Sequence, residues 1–353
     1  MDLESLVRVP GEWLNGKGAK AQVVISSRVR LARNLAGLPF PGWANKRERE
    51  EIIKRVSSAL QACPIFKNAL FLEVNKLPPL ERQFLVERYL ISREFAESKI
   101  ERAVFIGEKE MVSLMVNEED HIRLQSLYSG FELAEAWRLV NQVDNDLGKK
   151  INFSFSGQWG FLTACPTNCG TGLRASVMIH LPALVMTKQI NKIFQAVNKL
   201  GLAVRGFYGE GTEASGNFFQ VSNQTTLGQS EEEIVDNIER IIRQIIGHEE
   251  KARELLLKEN HSELEDKIGR AYGILEYGYI INSREAIELL SLFRLGVDVG
   301  VIPKAAIGIQ NELLVRIQPA HLQKIEGRAL TPGERDKKRA EIIRKAIGGD
   351  SHV

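Results

Sequence analysis

The chain has 353 residues, 44% hydrophobic and 26% charged, which allows two or three domains with their own cores and does not suggest disorder. Its 47 basic and 45 acidic side chains nearly cancel, so no chain-wide field argues for a nucleic-acid or membrane partner, and any polyanion site must be local. Three cysteines do not form a disulfide framework, the start MDLESLVRVPGEW lacks a basic region followed by an apolar core, and no apolar run nears the roughly 20 residues that span a bilayer; a cytoplasmic protein is expected.

In chain order, residues up to about 230 mix short β-rich runs with helical ones. This predicts an α+β domain around a largely antiparallel sheet flanked by helices. Strands are expected at 21–25, 69–74, 103–107 and 111–116, with the GEKE turn making the last two a hairpin. Helical spacing covers 48–60, 80–90 and 130–147, and later strands are expected at 175–180, 202–207 and 218–223. From about 231 the pattern changes: Ile234, Ile238, Ile241, Ile242, Ile245 and Ile246 fall on one face of a long helix. Further helices are expected at 263–276, 283–295, 303–322 and 332–347, enough apolar face to pack as a small bundle or against a second copy. The expected division is a first domain at 1–255 and an all-helical one at 256–353.

Several common sites are missing. No G-x-x-x-x-G-K-[ST] loop is present, and the Gly209 to Gly216 run does not fit the dinucleotide fingerprint. No His-Glu-x-x-His occurs, and Cys165 with Cys169 lack a second Cys/His pair, so no metal site is expected. Arginine is what remains. Arg28 and Arg30 follow an expected strand and, at period two, share a face. Arg123, Arg174 and Arg205 stand at expected strand ends or loops. Taken singly, each reads as a surface or salt-bridging residue. Together, five guanidiniums could surround a triphosphate, because the group matches phosphate geometry and keeps its charge.

Four ordered blocks carry a resemblance: Ser26-Ser-Arg-Val-Arg-Leu-Ala-Arg-Asn34, Val116-Asn-Glu-Glu-Asp-His121, Cys165-Pro-Thr-Asn-Cys-Gly-Thr-Gly-Leu-Arg-Ala-Ser-Val177 and Arg205-Gly-Phe-Tyr-Gly-Glu210. Over roughly residues 20 to 250 the chain resembles the phosphagen (ATP:guanido) kinases. The resemblance implies ATP and Mg²⁺ as cofactors, held by Ser26, Ser27, Arg28, Val29 and Arg30, by Arg123, by Arg174, Ala175, Ser176, Val177 and Met178, and by Arg205, Gly206, Phe207, Tyr208, Gly209 and Glu210. It also implies Glu119 and Glu210 as the catalytic carboxylates that hold the acceptor guanidinium, with the Cys165 thiol beside it. The chemistry agrees: a phosphoryl transfer to nitrogen needs charge absorbed at the phosphates and a base for the acceptor proton. From spacing alone, Cys165 reads equally as a small buried hydrophobe, and Glu119 and Glu210 as turn charges.

Two departures narrow the reading. Met178 and Tyr89 stand where relatives tend to have His, and the first arginine block begins at Ser26 without the helical domain that precedes it in small-metabolite phosphagen kinases, so an open acceptor side is expected. In the tail, Thr331-Pro-Gly-Glu334 predicts a capping box, followed by Arg335, Asp336, Lys337, Lys338, Arg339 and Ala340. Arg335 and Arg339 are four apart and share a helix face, a possible grip for a phosphate and otherwise a solvated basic face. This run resembles the phosphoarginine-binding run of the family members that phosphorylate arginine in proteins. That resemblance implies a kinase of protein arginine that senses its product and marks proteins for stress-response regulation and degradation. It implies as partners arginine-containing proteins including a stress-response repressor, a zinc-finger activator of the McsA type, Clp protease components and a second copy in a homodimer. The alternatives are a kinase of a free guanidino metabolite and a non-catalytic phosphoarginine-binding adaptor.

Overall fold

The computed structural model describes residues 2–206, 215–303 and 305–348. Its strands are β1 (Val24–Arg33), β2 (Leu70–Glu73), β3 (Ala103–Ile106), β4 (Val112–Val116), β5 (Ile122–Ser129), β6 (Phe155–Ser156), β7 (Gly160–Phe161), β8 (Leu173–His180), β9 (Leu202–Gly206) and β10 (Phe218–Asn223). Among the described residues, β6 and β7 make a separate hairpin and the others one antiparallel sheet in the order β2-β3-β4-β5-β1-β8-β10-β9. The α+β expectation is met.

Two strands differ from the sequence reading. The strand expected at 21–25 instead starts at Val24 and runs through Arg33, so Arg28 and Arg30 lie inside it rather than beyond it. Ile122–Ser129 was not expected as a strand at all. Both have the same cause: apolar Val29, Leu31, Ile122 and Leu124 alternate with arginine and glutamine, and the polar half of the alternation masks the strand. Arg123, Arg174 and Arg205 lie one residue inside the ends of β5, β8 and β9, which is the strand-end alternative of the sequence reading.

The pairing register decides which side chains meet. Arg28 stands opposite Ser176, Arg30 opposite Gln125 and Arg174, Ala32 opposite Arg123, and Arg205 opposite Gln220, itself opposite Met178. All five arginines therefore share one face of the sheet. The other face carries Val29, Leu31, Leu124, Ala175, Val177 and Val221, buried in one core with α5 (Leu133–Gly148) and α8 (Glu231–Glu259). Each of the buried Val and Leu side chains contributes roughly 1.5–3 kcal/mol. Arg33 also points to this side. It donates to Asp144 at 2.8 Å, Glu231 at 3.1 Å and the Thr171 carbonyl at 2.8 Å, fastening β1 to both helices.

The shorter helices before α5 are α1 (Leu3–Arg8), α2 (Lys46–Leu60), α3 (Pro79–Glu87) and α4 (Arg93–Glu97); α6 (Pro182–Met186) and α7 (Ile190–Lys199) follow it. The tail holds α9 (His261–Tyr277), α10 (Ser283–Asp298), α11 (Ile307–Arg316), α12 (Pro319–Glu326) and α13 (Pro332–Ile347). The single helix expected at 303–322 is two, because Pro319 has no N–H to continue a ladder and suits a first turn. The capping box at Thr331 and Glu334 forms as expected. α8 continues unbroken past residue 255 to Glu259. Among the described residues no helix is long and apolar enough to cross a membrane.

Helix α12 is held to the sheet half through its N-terminus. The Glu87 carboxylate, at the end of α3, accepts from the Ala320 N–H at 2.9 Å, the His321 N–H at 3.0 Å and His321 Nδ1 at 2.9 Å. Burial lowers the pKa of His321 despite that carboxylate, which favours a neutral ring donating from Nδ1. Replacing Glu87 with Ala strands three buried donors and should cost about 2–3 kcal/mol. Urea unfolding of Glu87→Ala beside Glu87→Gln checks this, the amide recovering part of the loss.

Candidate active site

The arginine face is short of negative charge. Arg28 donates from Nε to Ser176 Oγ at 3.4 Å and from Nη2 to Gln220 Oε1 at 3.2 Å, and Arg174 donates to Ser222 Oγ at 3.3 Å. These are neutral partners at long distance. The Nε atoms of Arg30 and Arg174 are buried and unpartnered among the described residues. Arg123 alone of Arg28, Arg30, Arg123 and Arg174 has a carboxylate, that of Glu118. Burial, then Arg123 and Arg174, pull Arg28 down to about 10. Burial and then Arg28, Arg123 and Arg174 hold Arg30 well below the usual guanidinium range. Arg174 is lowered by burial, then by Arg205 and Arg123. Such a face is stable only by virtue of the fold behind it, and a polyanion is its natural counter-charge.

Three hollows adjoin it. One of about 420 Å³ is lined by Arg28, Arg30, Arg123, Tyr89 and Gln125, with Gln318 and Pro319 reaching in from the helical tail. Beside it a small recess is walled by Trp13, Ser26, Tyr89, Met178 and Gln220. A third, of about 190 Å³, brings Glu119 and Cys165 together with Arg30, Arg123 and Arg174. The first and third hollows thus share Arg30 and Arg123 as a common wall.

The acceptor pocket is built by loops pinned to one another. The turn from β4 to β5 passes through Asn117 at φ 62°, and its Asp120 carboxylate accepts from Asn34 Nδ2 at 2.6 Å and from the Ala164 N–H at 2.7 Å. Ala164 precedes Cys165, so one carboxylate ties the Glu119 loop to the cysteine. His121 secures the same turn: its N–H donates to Asn34 Oδ1 at 2.8 Å, and its Nδ1 accepts from the Leu35 N–H at 3.0 Å. Burial first, then Asp120, raise the Glu119 carboxyl, making it the more basic neighbour. Burial would raise Glu118 too, but Arg123, Ser92 and Arg30 outweigh it and hold it low. The half-buried Cys165 has its Sγ 3.0 Å from Thr167 Oγ1 at the start of a short 3₁₀ turn. Gly170, at φ 104°, allows that turn to press on Thr226, where a Cβ would lie 2.3 Å from the carbonyl oxygen.

Not every expected residue reaches the site. Within 26–30 and 174–178 only alternate side chains do. Ser26, Arg28, Arg30, Arg174, Ser176 and Met178 share the arginine face, whereas Ser27, Val29, Ala175 and Val177 point into the core because the pleat has period two. Ser27 spends its hydroxyl on the Gly130 carbonyl at 2.9 Å. Gly206 ends β9, while Phe207, Tyr208, Gly209 and Glu210 lie outside the described residues.

In α13 the expected two-arginine grip is not formed. Arg339 is 1% exposed, with its guanidinium on the Ile317 carbonyl at 3.0 Å, the Ile281 carbonyl at 2.8 Å and Asp336 at 2.5 Å. Helical spacing shows a shared face but not that the next helices close over half of it. Arg335 donates to the Leu330 carbonyl, Lys338 pairs with Glu326 and Glu341, Lys337 is exposed and Ala340 is buried.

Residues overlooked in the sequence include Gln220, Gln125 and Trp13 at the first two hollows, Ser222 as the partner of Arg174, and Asn34, Asp120 and His121 as anchors. The anchors stand inside the motif blocks, where buried polar groups between two functional residues were the available signal. Asp120→Ala releases the two acceptor loops and should lower kcat by about 10²-fold with the KM for nucleotide within about twofold. Steady-state kinetics on both substrates checks the split.

Comparison with known proteins agrees with this geometry. Residues 51–252 match the family model for the ATP:guanido phosphotransferase C-terminal catalytic domain, and residues 261–352 match that for the protein-arginine kinase McsB C-terminal domain. The protein-arginine kinase of Halothermothrix orenii is 48% identical over 98% of this chain and 99% of its own. That of Symbiobacterium thermophilum is 50% identical over 98% of each. Among solved structures, the substrate-free duplicated taurocyamine kinase from Schistosoma mansoni superposes with a TM-score of 0.58 at 27% identity, covering 76% of this chain; the chain spans only 39% of that duplicated protein. Lombricine kinase gives a TM-score of 0.58 at 26% identity over 70% of both chains. An arginine-lined sheet facing a Glu and Cys pocket, and relatives matching end to end, lead to one assignment: the chain belongs to the protein-arginine kinases, built on the ATP:guanido phosphotransferase domain.

Proposed function

We propose that this enzyme transfers the γ-phosphoryl group of MgATP to the guanidinium of arginine side chains in proteins. The observation that carries the reading is the shared wall: Arg30 and Arg123 border both the hollow for phosphates and the pocket that holds Glu119 and Cys165, where Arg174 joins them. Magnesium enters with the nucleotide as substrate. Arg28, Arg30, Arg123, Arg174 and Arg205 take the phosphate oxygens, with Ser26, Ser176, Met178 and Tyr89 toward the nucleoside. A guanidinium nitrogen of the acceptor attacks the γ-phosphorus, the bond to the β,γ-bridging oxygen breaks, and ADP leaves. Glu119, with Glu210, orients the acceptor and receives its proton; the Cys165 sulfur stabilises the remaining positive charge. The arginines supply electrostatic stabilisation to a loose transition state, which is the main catalytic contribution in such transfers.

The same reading extends to the tail and the partners. The segment from Arg335 to Ala340 binds phosphoarginine, with the half-buried Arg335 releasing the Leu330 carbonyl and Arg339 exchanging the Ile281 and Ile317 carbonyls for phosphate oxygens. The helical tail joins two copies in a homodimer. A zinc-finger activator, a stress-response repressor and Clp protease components are the partners, in the cytoplasm.

Incubation with MgATP and an unfolded protein should give label that is lost in acid and kept in alkali. Cys165→Ala and Glu210→Ala should each reduce it by about 10²-fold while the chain stays folded. Acid-stable, alkali-labile label, or full activity in both variants, would refute the reading.

A further inference from the structure

The loops that hold the acceptor pocket also carry large apolar side chains into solvent. The β6–β7 hairpin exposes Phe155 at 61% and Trp159 at 50%. It is fastened to the turn after Cys165, since the Phe161 N–H donates to the Gly170 carbonyl at 2.8 Å and the Gly170 N–H returns to the Phe161 carbonyl at 3.3 Å. Phe161 itself is fixed over the Arg33 guanidinium, 3.5 Å from ring centre to carbon, so the hairpin sits on a buried anchor. On another side of the same turn, Thr226 donates its hydroxyl to the Cys169 carbonyl at 2.6 Å, and the next residue, Leu227, is 48% exposed. Trp43, 88% exposed, follows the segment whose Pro39 carbonyl is 2.7 Å from His121 Nε2, two residues beyond Glu119.

Large aromatics are costly to leave in water, and none of these is needed to close the core. We infer that Phe155, Trp159, Leu227 and Trp43 form the rim that receives the polypeptide on either side of the target arginine, and that this rim selects arginines flanked by apolar side chains. The occupant follows from continuity. Any chain that delivers a guanidinium to Glu119 and Cys165 must lie across the segments bonded to their loops, and those segments offer aromatic surface. The pocket supplies charge recognition through Glu119; the rim adds contact area that a free guanidino metabolite would not reach. This inference rests on the arginine-phosphorylation reading.

The test compares two short blocked peptides with one central arginine, flanked by Leu and Phe in one and by Gly and Ser in the other. For the wild-type chain, kcat/KM should be about tenfold higher on the apolar peptide. In the double variant Phe155→Ser, Trp159→Ser the ratio should fall to about one, through loss on the apolar peptide alone, and Trp159→Phe should restore part of it. A wild-type ratio near one, a ratio unchanged in the variant, or an equal fall on both peptides would overturn the rim. Absence of labelling on any peptide or protein by the wild type would instead refute the phosphorylation reading itself.

Discussion

Positive charge held without its counter-charge is the constraint on which this molecule is built. Arg28, Arg30 and Arg174 project from adjacent strands toward one another, and their partners among the described residues are hydroxyl and amide groups rather than carboxylates. Burial and repulsion from neighbouring arginines, Arg123 among them in every case, depress all three. A strand does not fold in this way unless something else repays the cost. Here the opposite face of the same strands does so, placing Val29, Leu31, Ala175 and Val177 against α5 and α8. Stability and function are thus divided between the two faces of one sheet by the period of the pleat.

The same economy governs the acceptor side. Glu119 and Cys165 come from loops far apart in sequence, and a single carboxylate, Asp120, sets their spacing through the Asn34 amide and the Ala164 N–H. Two neighbouring glutamates are driven apart in basicity by their surroundings. Glu118 is held low by Arg123 against the effect of burial, while burial and Asp120 raise Glu119. Identical side chains thus differ in basicity because their surroundings differ, Glu118 being held as the anion and Glu119 being the readier of the two to take a proton. Contact with the helical tail reaches the donor hollow through Gln318 and Pro319, which Glu87 positions by capping α12.

How legible this was depended on the kind of signal. Motif residues such as Arg28 and Arg174 were visible because arginine clustering and block order survive in a linear string. The strand Ile122–Ser129 was not, since Arg123 and Gln125 dilute its apolar alternation, and the strand through Arg28 and Arg30 was cut short for the same reason. The helix expected across Pro319 divided there, where the residue itself gives the break. Arg339 shows the limit of spacing arguments. Its helical face is right, yet the carbonyls of Ile281 and Ile317, which decide its role, come from parts of the chain that only packing brings near. The pleat direction, likewise invisible in the string, turns the side chains of Ser27, Val29, Ala175 and Val177 away from the arginine face.

The most direct measurement is on Arg30→Met, which keeps bulk and removes one uncompensated buried charge. If the arginine face trades stability for polyphosphate binding, the nucleotide-free variant should melt about 2 °C or more above the wild type, and the further stabilisation by MgATP should largely disappear. A variant that melts below the wild type without nucleotide, and is still stabilised by MgATP to the same extent, would contradict that role for the arginine face.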